Sequence, residues 1–104
     1  MKKDTFYLCV PDQVDKSKAV AQKIKGYSEN DIGLNKIGKF WTATHIPTGR
    51  RFSPAYKTAK ATLKAAKALI ELSPNYEKIV QDYMSGEVYK MFSKSRSEQT
   101  TTED

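Results

Sequence analysis

A small α+β domain is the architecture expected of this chain, and three observations lead there. Residues 39–46 alternate with the two-residue period of a strand and run into a Pro-Thr-Gly turn. Residues 56–72 are rich in alanine, with apolar side chains at helical spacing. A length of 104 residues suits one core of ordinary size. The expectation is an antiparallel sheet of two or three strands, including a 39–46/50–53 hairpin, packed against helices. Residues 1–94 form this domain, helical in its C-terminal part, and 95–104 form a disordered polar tail.

Each element has a local reason. Phe6-Tyr7-Leu8-Cys9-Val10 reads as a short strand stopped by Pro11. Cys9 reads as a small buried hydrophobe. Asp12 or Asp15 then opens a helix over about 13–25, with Val14, Val20, Ala21 and Ile24 on one side and Gly26 as its stop. Tyr27 to Lys36 holds Ser28, Asn30, Asp31, Gly33 and Asn35 and reads as a loop.

In the hairpin, Phe40, Thr42, Thr44 and Ile46 point one way and Trp41, Ala43 and His45 the other. Pro47-Thr48-Gly49 suits a three-residue connection with a bulge. Ser53-Pro54 or Thr58 begins the next helix, with Ala59, Leu63, Ala66 and Ile70 as its apolar stripe. Ser73-Pro74 restarts a helix that places Tyr76, Ile79, Val80, Tyr83 and Met84 on one face, and Glu87 to about Lys94 makes a last short helix.

Charge narrows the function. The chain carries 18 basic and 12 acidic residues, a net +6. No acid lies between Asp31 and Glu71, while Lys36, Lys39, Arg50, Arg51, Lys57, Lys60, Lys64 and Lys67 do. Such a window makes a positive field that attracts polyanions and weakens with salt.

Several classes are excluded or disfavoured. One cysteine allows no intramolecular disulfide, and His45 as the sole histidine allows no HExxH metal site. The glycines form neither a phosphate loop nor GxGxxG, and no cofactor is expected. The acids avoid the basic segment where a phosphodiester would dock, so metal-assisted cleavage is not expected. No apolar run approaches the roughly 20 residues of a membrane span, and the setting expected is a reducing cytoplasm.

Binding is the better-supported expectation. Lys39, Trp41 and His45, with Arg50 and Arg51 across the hairpin, combine a stacking ring with cationic and hydrogen-bonding groups. Lys57, Lys60, Lys64 and Lys67 recur three or four residues apart and make one stripe suited to backbone phosphates. The nine form the expected interface for DNA or RNA.

The stretch KFWTATHIPTGRRFSPAYKTAKATLKAAKALI, residues 39–70, runs strand, turn, strand and Lys/Ala helix. In that arrangement it resembles the small DNA-binding arm domain at the N-terminus of tyrosine-type phage integrases. The resemblance covers about a third of the chain and implies DNA binding. Those arms have three strands before the helix, and no motif here transfers individual residues.

The leading expectation is a non-enzymatic, nucleic-acid-binding accessory protein. The alternative is a phage or mobile-element inhibitor, anti-CRISPR-like or anti-defence, that grips an acidic protein or a nucleoprotein. Tyr76, Tyr83, Tyr89 and Phe92 would then supply a protein interface, or a homodimer contact. A third reading is a small-molecule sponge in an oligomer, since basic pockets suit nucleotides, but no phosphate loop supports it.

Overall fold

The computed structural model describes residues 1–102. Strands β1 (Lys2–Pro11), β2 (Ala19–Glu29), β3 (Ile32–Ile37), β4 (Phe40–His45) and β5 (Arg50–Tyr56) precede helices α1 (Ala59–Leu72), α2 (Tyr76–Met84) and α3 (Glu87–Thr102). The strands form one antiparallel sheet in the order β1-β2-β3-β4-β5. The α+β character stands, but the sheet of two or three strands is corrected to five.

The largest correction lies in the N-terminal third. The helix expected over 13–25 is replaced by β2, which pairs with β1 from Pro11↔Ala19 to Lys2↔Ser28. Asp12 and Asp15 do not cap a helix. Their carboxylates accept the Val14 and Ser17 backbone N–H groups at 3.1 Å each, closing local turns in the connection. Aspartate serves both purposes, so its presence does not separate helix start from turn. Val14, counted toward the helical face, is 96% exposed.

The loop expected over Tyr27 to Lys36 is the end of β2, a tight turn and β3. Glu29↔Ile32 closes the turn at Asn30-Asp31. Asn30 there has φ 55°, a left-handed conformation that asparagine tolerates. Gly38, φ 61°, and Lys39 then make a two-residue turn between Ile37 and Phe40.

The 39–46/50–53 hairpin is present as β4 and β5, with a four-residue connection closed by Gly49 N–H donating to the His45 carbonyl at 2.8 Å. Gly49 takes φ 69°, and a Cβ there would meet the Phe92 ring at 2.5 Å.

The sheet is strongly coiled. The β1–β2 hairpin outruns the β2–β3 ladder and curls over, so that Cys9 N–H donates to the Gly49 carbonyl at 2.9 Å. Phe6, 2% exposed, lies inside the curl against Gly33, where a Cβ would come within 2.8 Å of its ring. On the sheet's opposite face α1 covers Ile32, Leu34 and Ala43 with Leu63 and Ala66. The alternation of Trp41, Ala43 and His45 against Thr42 and Thr44 thus separates the α1 side from the curl.

Helix α1 starts at Thr58, whose hydroxyl accepts Ala61 N–H at 3.1 Å. The next helix begins after Asn75, whose side chain makes no capping hydrogen bond, and not at Ser73, which still belongs to the end of α1 and donates its N–H to Ile70 O. The disordered tail expected from Ser95 is corrected too. Helix α3 continues to Thr102, and Ser95, Arg96 and Gln99 bind backbone groups: Ala21 N–H donates to Ser95 Oγ at 2.9 Å, Gln99 donates to Ala21 O, and Arg96 donates to Pro47 O. A polar sequence is held by hydrogen bonds to a sheet backbone that composition does not reveal. Residues 103 and 104 of that expected tail lie outside the described residues.

Candidate nucleic-acid interface

The register divides the expected binding residues between two ends of the sheet. Phe40, Trp41 and Tyr56 lie at one end, His45, Arg50 and Arg51 at the other. Along β4 four residues separate Trp41 from His45, about 13 Å at 3.3–3.4 Å per residue, and five separate Phe40 from His45, about 17 Å. A single patch of Trp41, His45 and an arginine is therefore not formed.

Neither ring of the expected patch is free. Trp41 is half-buried against the core, its ring 6.0 Å from that of Tyr27. His45 is held between Phe52 and Tyr76, with ring centroids at 6.4 and 6.0 Å, both edge-on. Its Nδ1 lies 2.8 Å from Thr48 Oγ1. Burial lowers the imidazole pKa and the nearby Asp31 carboxylate opposes that shift.

The first end presents what Trp41 does not. Phe40 is 46% exposed and Tyr56 is 47% exposed. Phe40 pairs with exposed Ile37 on the face turned from α1, and Tyr56 sits opposite Trp41 on the α1 side. Exposed Lys36, Lys39 and Lys57 surround them in sequence and register. Lys60 and Lys64 continue the cationic surface along exposed positions of α1. Among the described residues none of these five lysines forms an ion pair. Lys67, further along, pairs with Glu29. Lys36, Phe40 and Tyr56 were not among the expected contacts. The strand alternation that buries Trp41 is the signal that turns Phe40 outward.

The second end gathers Arg50 and Arg51 with Lys16 and Lys18 of the β1–β2 connection around a cleft of about 540 Å³. The Arg50 guanidinium stacks 4.7 Å from the centre of the Tyr83 ring. Tyr83 donates its hydroxyl to Cys9 Sγ at 3.7 Å. Burial, with the Cys9 contact, pushes the Tyr83 phenol up to about 12, and Arg50 opposes the shift. Cys9 is only half-buried, not fully enclosed as expected.

The expected protein-interface aromatics mostly serve this chain's own interior. Tyr76 meets His45, and Tyr83, Tyr89 and Phe92 form a run with centroids 6.2 and 6.3 Å apart. Phe92 is fully buried and has no surface to offer a partner. The exposed large apolar residues of the helices are instead Leu69, Leu72, Ile79 and Val88.

Among the described residues no group of three or more His, Cys, Asp or Glu side chains is placed to hold a metal ion, and no helix is long and apolar enough to cross a membrane. No family model, curated protein or solved structure matches the chain.

Proposed function

We propose that the chain is a non-enzymatic nucleic-acid-binding accessory protein, acting in a reducing compartment such as the cytoplasm. The observation that carries the reading is two exposed rings on opposite faces of one sheet end, Phe40 and Tyr56, set among Lys36, Lys39 and Lys57, with no carboxylate paired to those lysines among the described residues. Rings interleaved with cations suit a single strand, whose bases stack while its phosphates meet the lysines.

The test is binding of a labelled oligonucleotide of about 15 nucleotides, a length in the range of single-strand sites. Phe40→Ala and Tyr56→Ala each lower affinity at least about fivefold, from a stacking contribution of about 1–3 kcal/mol per base. Unchanged affinity in the double variant refutes the interface. Tighter binding to duplex with no effect of the rings moves the interaction onto the lysines alone.

The second reading, an inhibitor that docks on a protein, is favoured by Leu72, 80% exposed, with Ile79 and Val88 also outward. Under it, serine at these three positions abolishes the inhibition and leaves oligonucleotide binding intact.

A further inference from the structure

The cleft at the start of β5 is a different kind of place from the sheet end just described. Lys16 and Lys18 reach it from the β1–β2 connection, and Arg50 and Arg51 from β5. Among the described residues no carboxylate stands within 4 Å of any of these four cationic groups. Asp15, nearest in sequence, is engaged by Ser17, whose N–H and hydroxyl both donate to the same carboxylate oxygen, and Lys18 acts on it only through space. Four like charges converging on one concavity repel one another, and an anion removes that repulsion.

The cleft also has a preformed orientation and a body. Arg50 is fixed by stacking on Tyr83, which is itself held by Cys9. A guanidinium held this way presents its fork to a phosphate at little conformational cost. Val10, Pro11, Ala19 and Val88 supply an apolar wall. The volume, about 540 Å³, far exceeds a bare phosphate and falls in the range of small-molecule sites. The Ser17 hydroxyl is spent on Asp15, so the phosphate contacts fall to the four cations.

We propose that this cleft binds a nucleotide, with its phosphates on Lys16, Lys18, Arg50 and Arg51 and its base and sugar against the Val10, Pro11 and Val88 wall. The site goes beyond the nucleic-acid reading: by register its Arg50 stands five residues along β4 from Phe40, about 17 Å, and four from Tyr56, about 13 Å. No bond is made or broken, and the activity is binding.

The experiment is calorimetric titration of the full chain at about 100 mM salt, where exposed long-range charge effects are largely screened. The probes are ATP, AMP, adenosine and tripolyphosphate, without metal. ATP binds at least about tenfold tighter than AMP, because its two further phosphates add charge-assisted contacts to the four cations. ATP also binds tighter than tripolyphosphate, and adenosine does not bind measurably. Arg51→Ala, and separately Lys16→Ala with Lys18→Ala, weaken ATP about tenfold or more with the circular dichroism unchanged, since all three side chains are exposed. Phe40→Ala with Tyr56→Ala leaves ATP binding intact, which separates failure here from failure of the oligonucleotide interface. Equal affinity for ATP and tripolyphosphate reduces the cleft to a counterion site and overturns the proposal. So does ATP binding that ignores Arg51 and the two lysines, or no binding.

Discussion

Gly26→Ala tests the coiling of the sheet at its tightest point. A Cβ at residue 26 would lie 2.1 Å from the Leu34 carbonyl oxygen and 3.2 Å from the Phe6 ring. Carbon and oxygen in sheets approach to about 3.3–3.6 Å, so β2 must back away from β3 by more than about 1 Å. The oxygen belongs to the backbone, and Phe6 is enclosed on the other side, so no flexible group can yield. Overpacking of this kind costs about 1–3 kcal/mol. A separation that large also takes the Tyr27↔Leu34 pairing out of hydrogen-bond range, at about 1 kcal/mol per bond. The total is about 3 kcal/mol, and a domain of this size loses about 4–8 °C of Tm per kcal/mol, hence about 12–24 °C. The control is Gly38→Ala, where nothing lies within 4 Å and only the positive φ is penalised. That costs about 1–2 kcal/mol. Thermal denaturation followed by circular dichroism compares them. A Gly26→Ala protein that melts no lower than Gly38→Ala refutes the close approach of β2 to β3, and with it the curl.

Three further outcomes are expected. Thr44→Val is neutral or stabilising by up to about 1 kcal/mol in urea denaturation, because Thr44 Oγ1 is buried without a hydrogen-bond partner among the described residues; a loss above about 1 kcal/mol reveals a partner, such as a bound water. Phe92→Ala costs about 3–5 kcal/mol, since its ring fills the space over Gly49 with no exposed surface; retention of parental stability contradicts the docking of α3. For pH, the folded-state pKa of His45 is lowered, so neutral imidazole is favoured by folding and stability falls as pH drops through about 6.5, where the unfolded chain takes up its proton. Urea midpoints from pH 8 to 5 show this decline in the parent and not in His45→Gln. A later decline below about pH 4 persists in both, because Asp4 (mainly through the Ser28 hydroxyl), Asp15 (through Ser17) and Glu29 (through Lys67) have lowered pKa values.

The second half of the fold was more legible than the first. The β4–β5 hairpin and α1 carry stronger signals, strict alternation, a Pro-Thr-Gly turn and alanine-rich helical spacing, although these leave the helix start open between Ser53-Pro54, which lies in β5, and Thr58, which caps α1. The β1–β2 hairpin carries ambiguous ones. Val20, Ala21 and Ile24 satisfy helical spacing, Gln22, Lys23 and Lys25 break any clean alternation, and only pairing with a ten-residue partner strand makes the segment β2. The two-residue Gly38-Lys39 turn is a glycine-first dipeptide that the expectation from sequence misses, with Lys39 placed in the strand and β3 in a loop. For the site, composition located the acid-free window, but only the register assigned Phe40 and Tyr56 to one end and the arginines to the other. Lys16 and Lys18 join Arg50 and Arg51 through the curl, a long-range closure that leaves no local trace in the sequence.

The central claim is that the Phe40–Tyr56 end engages nucleic acid through its lysines. Its most direct test is the salt dependence of single-strand binding by fluorescence anisotropy, comparing the parent with Lys36→Ala/Lys39→Ala. Each lysine on a phosphate contributes about 0.7 to the slope of log affinity against log salt. If Lys36, Lys39, Lys57, Lys60 and Lys64 all make contact, the parent slope is about −3.5 and the double variant about −2.1. Binding that is absent at about 50 mM salt, or a slope that does not change when the two lysines are removed, contradicts the account.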